Sequence, residues 1–174
     1  MTSIRTACAA LLAATTLSAP APAQDLAQGQ DPSCVTRAEA QAVVAYLMPD
    51  LVRRVGEQCR GALGPAAYLS MQGEALATEM TPLAEQSGPE ALGVLEQFTG
   101  TPLPDNDFLL ELGRLAIADG IAKELDAPTC GRVDRLVEAL APLPPRNRVD
   151  VFALVLEVGV NDDPGSAVKV CPAP

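Results

Sequence analysis

The clearest periodic signal in the chain lies between Cys34 and Cys59. Val43, Val44, Leu47, Met48, Leu51, Val52 and Val55 recur at steps of three and four, which places them on one face of a 3.6-residue helix. Thr36 followed by Glu39 has the form of a capping box, in which the hydroxyl accepts from the amide three residues on and the carboxylate reaches back to the cap amide. A helix therefore starts here and buries its apolar face. Pro49 falls inside the run, where it lacks the N–H for the ladder and its ring clashes with the preceding turn. The apolar phase continues across it, so the local pattern favours a kink over a break into two helices.

Farther on, Gly61 and Gly64 punctuate the chain, and Pro65 is placed to open a helix through Ala67, Tyr68, Leu69 and Met71, ended or bent at Gly73. Ala75, Leu76, Met80 and Leu83 form another stripe, interrupted at Pro82. Ser87-Gly88-Pro89 reads as a turn opening a short helix from Glu90 to Phe98, closed by Gly100. Met71 and Met80 read as core filler. After the loop TPLPDND, Leu109, Leu112, Leu115, Ala116, Ile117 and Ile121 make a helix from about Phe108 to Leu125 apolar over much of its circumference. That makes it the expected central buried helix, with Gly113 and Gly120 marking close approach of neighbours. Val133, Leu136, Val137 and Leu140 give a short amphipathic helix. Asn147 and Asp150 are placed to cap a last one over roughly 148–159, whose near-continuous apolar run could also be a buried strand; the cap signal favours helix. The expected fold class is all-α, a single bundle of about six helices.

Length and composition agree with this reading. The 174 residues, 48% hydrophobic and 20% charged, suffice for one core, and with no tryptophan and 3% aromatics that core is aliphatic. Residues 1–23 read as a signal peptide: a basic Arg5, an apolar Ala7–Leu17, then Ala21-Pro22-Ala23 with small residues where a signal peptidase cuts. The apolar run is too short to span a bilayer, so the processed chain is not expected to be membrane-spanning. Residues 24–33 read as a flexible linker, 34–171 as the helical domain and 172–174 as a tail. Export sets the expected localisation as periplasmic or extracellular.

Removing Cys8 with the signal leaves Cys34, Cys59, Cys130 and Cys171, an even number in a chain bound for an oxidising compartment, which implies two disulfides. A continuous helix would hold Cys34 and Cys59 roughly 35 Å apart, whereas a disulfide needs Cα atoms within about 7 Å. They pair only if Pro49 folds the segment into a hairpin. Against this, antiparallel packing of the last two helices brings Cys171 back to Cys130 and leaves Cys34 for Cys59 by exclusion. The narrow preference is Cys34–Cys59 with Cys130–Cys171.

The formal charge of −10, or −11 once the only ionised side chain of residues 1–23, Arg5, is removed, repels phosphate backbones and excludes nucleic acid as a partner. Histidine is absent, which removes the commonest general base, the commonest metal ligand and every Ser-His or Cys-His arrangement. The cysteine spacings contain no C-x-x-C. Asp105-Asn106-Asp107 and Asn161-Asp162-Asp163 are the oxygen-rich clusters, but neither fits a twelve-residue calcium loop, and they read as a helix cap and a solvated loop. Arg53, Arg54, Glu57 and Arg60 read as a solvated face with pairing of Arg53 to Glu57. No catalytic, cofactor or metal residue is assigned.

In its signal-like start, its Ala, Leu, Arg and Pro richness, and the stretches CVTRAEAQAVVAYLMPDL and CGRVDRLVEALAPLPPRN, the chain resembles small exported helical proteins of unknown function from high-GC Gram-negative bacteria. The leading functional expectation is a non-catalytic interaction or structural role with a protein partner. The alternative is a carrier holding a small apolar or lipidic ligand between helices, in a pocket lined by Leu112, Leu115, Ile121, Phe152 and Val155. A carboxylate-based hydrolase ranks third.

Overall fold

Thr36 caps the first helix as its sequence requires: Oγ1 accepts from the Glu39 amide at 3.2 Å, and Glu39 Oε2 accepts from the Thr36 amide at 2.7 Å. The computed structural model describes residues 34–166 and 168–171. The signal and linker segments with Cys8, and the 172–174 tail, lie outside the described residues. The order is β1 (Cys34–Val35), α1 (Arg37–Cys59), α2 (Tyr68–Thr99), α3 (Asp107–Lys123), α4 (Ala127–Leu140), α5 (Pro145–Asp162) and β2 (Lys169–Val170). The domain is thus an all-α bundle, with five helices among the described residues rather than six.

The central helix is α1 and not, as expected, the segment from Phe108. Val44, Ala45, Leu47, Met48, Pro49, Asp50 and Val52 are all buried, because α2, α3 and α5 each lie against α1. The helix runs unbroken through Pro49, whose ring is itself fully buried. Once α1 stays continuous the expected disulfides are excluded, and the bonds are Cys34–Cys171 and Cys59–Cys130, with Cα separations of 5.2 and 5.4 Å. One closes each end of α1. The last two helices do not lie along each other either: α5 packs on α1, α2 and β2, which carries Cys171 to the start of α1 and away from Cys130.

Where the sequence predicts breaks, α2 is a single helix of 32 residues through Gly73, Pro82, Gly88 and Pro89. Its buried positions, Leu69, Gly73, Leu76, Ala77, Met80, Ala84, Gly88, Ala91 and Val94, keep one phase from end to end against α1. Pro82 and Pro89 are exposed, as are Thr78 and Glu85, the residues whose carbonyls lose their helical donors. Water can satisfy those carbonyls, so each proline is tolerated on the outer surface. Met71 is exposed while Met80 is core. Gly100 at φ 63° closes the helix. Pro65 precedes α2, and α5 opens at Pro145 instead of near Asn147, a proline at the first helical position being already set in φ.

Two buried charges cap helices other than their own. Ala67 offers α2 no side-chain cap, and Asp134 of α4 substitutes, accepting from the Leu69 amide at 2.8 Å and the Tyr68 amide at 3.4 Å. Arg148 of α5 donates to the Ala141 carbonyl at 2.6 Å and the Leu140 carbonyl at 3.3 Å, closing the end of α4, and its Nη1 reaches Glu79 Oε2 of α2 at 2.7 Å. At the far end, Lys169 Nζ donates to the carbonyls of Val160 and Asp163 at the close of α5. Asn161 brackets Val170, accepting from its amide and donating to its carbonyl. The β1–β2 pair is parallel, with Cys34 level with Lys169.

Two outcomes follow from this arrangement. Cys59 and Cys130 are 0% and 2% exposed, whereas Cys34 and Cys171 are partly accessible. Graded reduction followed by alkylation and mass spectrometry should label Cys34 and Cys171 first; simultaneous or reversed labelling would contradict the burial. Asp134→Ala should destabilise the fold by about 2 kcal/mol in urea unfolding, and Asp134→Asn, which keeps an acceptor, by distinctly less. Equal losses would show that capping of α2 is not what Asp134 supplies.

Candidate functional site

Asn106 fixes where α3 begins, its Oδ1 accepting from the amides of Phe108 and Leu109. The Asp105-Asn106-Asp107 cluster thus caps a helix. What then holds α3 in place is mostly charge. Arg114 Nε lies 2.6 Å from Oδ2 of the buried Asp50, and the contact is an ion pair rather than a well-aligned hydrogen bond. The guanidinium carbon stands 5.2 Å from the Tyr46 ring centroid, a cation–π distance, and Nη2 also meets Glu111 at 2.8 Å. Tyr46 and Asp50 sit four apart on α1 and so present one site to α3. Arg53 approaches Asp50 at 3.6 Å from the other side. Beside this latch, α3 buries only Ala118 and Ala122.

The helix is consequently inverted. Its inner side carries Arg114 and two alanines with Leu110 and Leu115 half-buried beside them, while Phe108 is 69% exposed and Leu109, Leu112, Ile117 and Ile121 are between 37% and 47% exposed. Gly113 and Gly120 are also exposed, and a Cβ built on either meets nothing within 4 Å, so they mark no close approach among the described residues. A second apolar strip, Leu154, Val155, Leu156 and Val158, is exposed on α5. Isolated exposed apolar side chains are ordinary, but an unbroken set along one helix is a surface of the kind that partners cover.

The residues expected to line a ligand pocket are not brought together. Leu112, Ile121 and Val155 face outward, Leu115 is half-buried on α3, and Phe152 packs against the core. The cavities beside Phe152 measure about 10 and 50 Å³, against the roughly 300 Å³ at which small-molecule sites begin. A larger groove of about 590 Å³ runs between α1 and α2 past Gly56 and Gly73. It is bordered by Arg53, Arg60, Glu57 and Glu74, with Arg53 paired to Glu74 at 3.1 Å instead of to Glu57, which pairs with Arg54 at 2.8 Å. An open groove with a charged rim does not enclose an apolar ligand.

Among the described residues no three Cys, Asp or Glu side chains gather as a metal site. Hydrogen bonding from Lys123 pulls the Asp119 carboxyl below its usual range, and bonding from Thr129 does the same for Asp126, the N-cap of α4. Both shifts are opposite to what a general acid needs. Burial pushes the Tyr46 phenol above its usual value, against a smaller pull from Arg114. The fold therefore favours the neutral phenol, a contribution present below a pH of about 10 and lost as pH rises through the folded pKa. Tyr46→Phe, which keeps the ring under Arg114, should hold its fold to higher pH than the unaltered protein in alkaline unfolding followed by circular dichroism; coincident curves would show that the phenol proton is not linked to folding.

No protein-family model matches the chain, and none of the curated proteins or solved structures compared with it shows significant similarity. Whatever role is assigned must rest on its own residues.

Proposed function

We propose that this protein is exported to the periplasm or beyond and acts by non-catalytic contact with a protein partner, through the outer face of α3. The observation that carries the proposal is the inversion of that helix: five large apolar side chains face out while the inner side is held by Arg114. A helix that served only to complete the core would turn Leu109, Leu112 and Ile121 inward, since burying each large apolar side chain stabilises by about 1.5–3 kcal/mol. Export is supported by the signal-like residues 1–23 and by two disulfides, bonds that persist in oxidising compartments. No described helix is long and apolar enough to cross a membrane. The carrier reading finds no support in the small cavities beside Phe152.

The test is site-specific photocrosslinking in cells. A photoreactive residue at Leu112 should give a reproducible adduct that the same residue at exposed Glu85, on α2, does not. Absence of any adduct at Leu112, Phe108 and Ile117 would overturn the reading.

A further inference from the structure

We infer that the occupant of the α3 face is a second copy of this chain, paired antiparallel along α3; this rests on the reading of that face as an interaction surface. Leu109, Gly113, Ala116 and Gly120 are all exposed and stand four, three and four residues apart, the spacing at which one helix presents a straight seam to another. Phe108 and Leu112 flank the seam on one side, Ile117 and Ile121 on the other. Its centre is made of the smallest side chains. Glycine inside a helix costs about 1 kcal/mol against alanine, and among the described residues nothing approaches Gly113 or Gly120 to require it. A facing backbone would, since small residues let helix axes draw close.

Area decides between a specific pair and an incidental patch. The five large side chains at their observed exposures present roughly 450 Å², counting about 180 Å² for each when fully exposed. Two copies then offer about 900 Å² from these alone, and the half-buried Leu110 and Leu115 with Ala116 bring the area open to burial to about 1,000 Å², the lower bound for a specific interface. An antiparallel pair centred between Ala116 and Ile117 sets Gly113 of each copy across from Gly120 of the other. It also brings Glu124, the residue after α3, level with the first turn of the opposing helix, whose Asp107 is of like charge. The four seam residues carry no charge, Lys123 at the next step is paired with Asp119, and each processed copy carries a formal −11. Association should therefore tighten as salt screens the repulsion between copies.

Sedimentation velocity on the purified, disulfide-bonded protein tests this directly. The expected result is a monomer–dimer equilibrium in the micromolar range, with a dissociation constant that falls several-fold between 20 mM and 500 mM sodium chloride. Ala116→Arg should weaken the dimer at least tenfold with an unchanged circular dichroism spectrum. The double variant Gly113→Ala with Gly120→Ala guards against misfolding as the cause: it should raise the melting temperature of dilute monomer while weakening the dimer. A protein that remains monomeric at 200 µM in high salt, or a dimer indifferent to Ala116→Arg, overturns the pairing. Adducts at Leu112 to a different protein would leave the interaction reading standing while the self-pairing fails, so the two are separable.

Discussion

The continuity of α1 through Pro49 is the constraint on which the remaining architecture depends. A 23-residue helix holds its ends roughly 35 Å apart at about 1.5 Å per residue, so Cys34 and Cys59 need separate partners, one supplied by the last strand and the other by α4. Each bond closes a long loop, with sequence separations of 137 and 71, and in the chain-entropy account each contributes roughly 4–5 kcal/mol by restricting the unfolded chain. The rod thus serves as the spacer between two clamps. The ring of Pro49 is fully buried within that rod, and the helix continues through it.

Around that rod, charged side chains do work that apolar packing does elsewhere. Asp134 supplies the missing cap of α2, Arg148 closes α4 while reaching α2, and Arg114 ties α3 to Asp50 and Tyr46. In the first two cases a group on one helix completes the end of another, and in the third it fixes where one helix lies on its neighbour. Removing one partner of a buried pair leaves the other desolvated and uncompensated, which costs more than the pair itself contributes. The same arrangement frees the apolar side of α3. Because Arg114 provides the attachment, Phe108, Leu109 and Leu112 are not needed for the core.

Much of the local structure was legible in the residues alone. The Thr36–Glu39 box and the phased valines and leucines after it specified α1, Gly100 ended α2, and Asn106 opened α3, because caps and periodicity are short-range effects. The all-helical class followed from the same signals, as did the participation of Cys34, Cys59, Cys130 and Cys171 in disulfides. Legibility failed where a local signal competes with burial. Pro82 and Ser87-Gly88-Pro89 carry the marks of a break, yet the phase from Leu69 to Val94 is uninterrupted and the prolines fall on the wet side.

The candidate surface was legible only in composition. An apolar helix between Phe108 and Leu125 reads equally well as the buried centre of a bundle or as an uncovered outer face, since hydrophobicity does not say which side is filled. That choice depended on Arg114 finding Asp50 across 64 positions of sequence and on α1 already being enclosed by its neighbours. The residues by themselves determined the helical class, the caps at Thr36 and Asn106 and the need for two sulfur bridges, all of which act within a turn or two or follow from counting. Which cysteines meet, which helix lies at the centre and which apolar face stays uncovered are questions of long-range contact. Those were decided by the tertiary structure, where a rod too stiff to fold back rules out Cys34–Cys59 and the placing of α4 and β2 at its two ends chooses between the two pairings that remain.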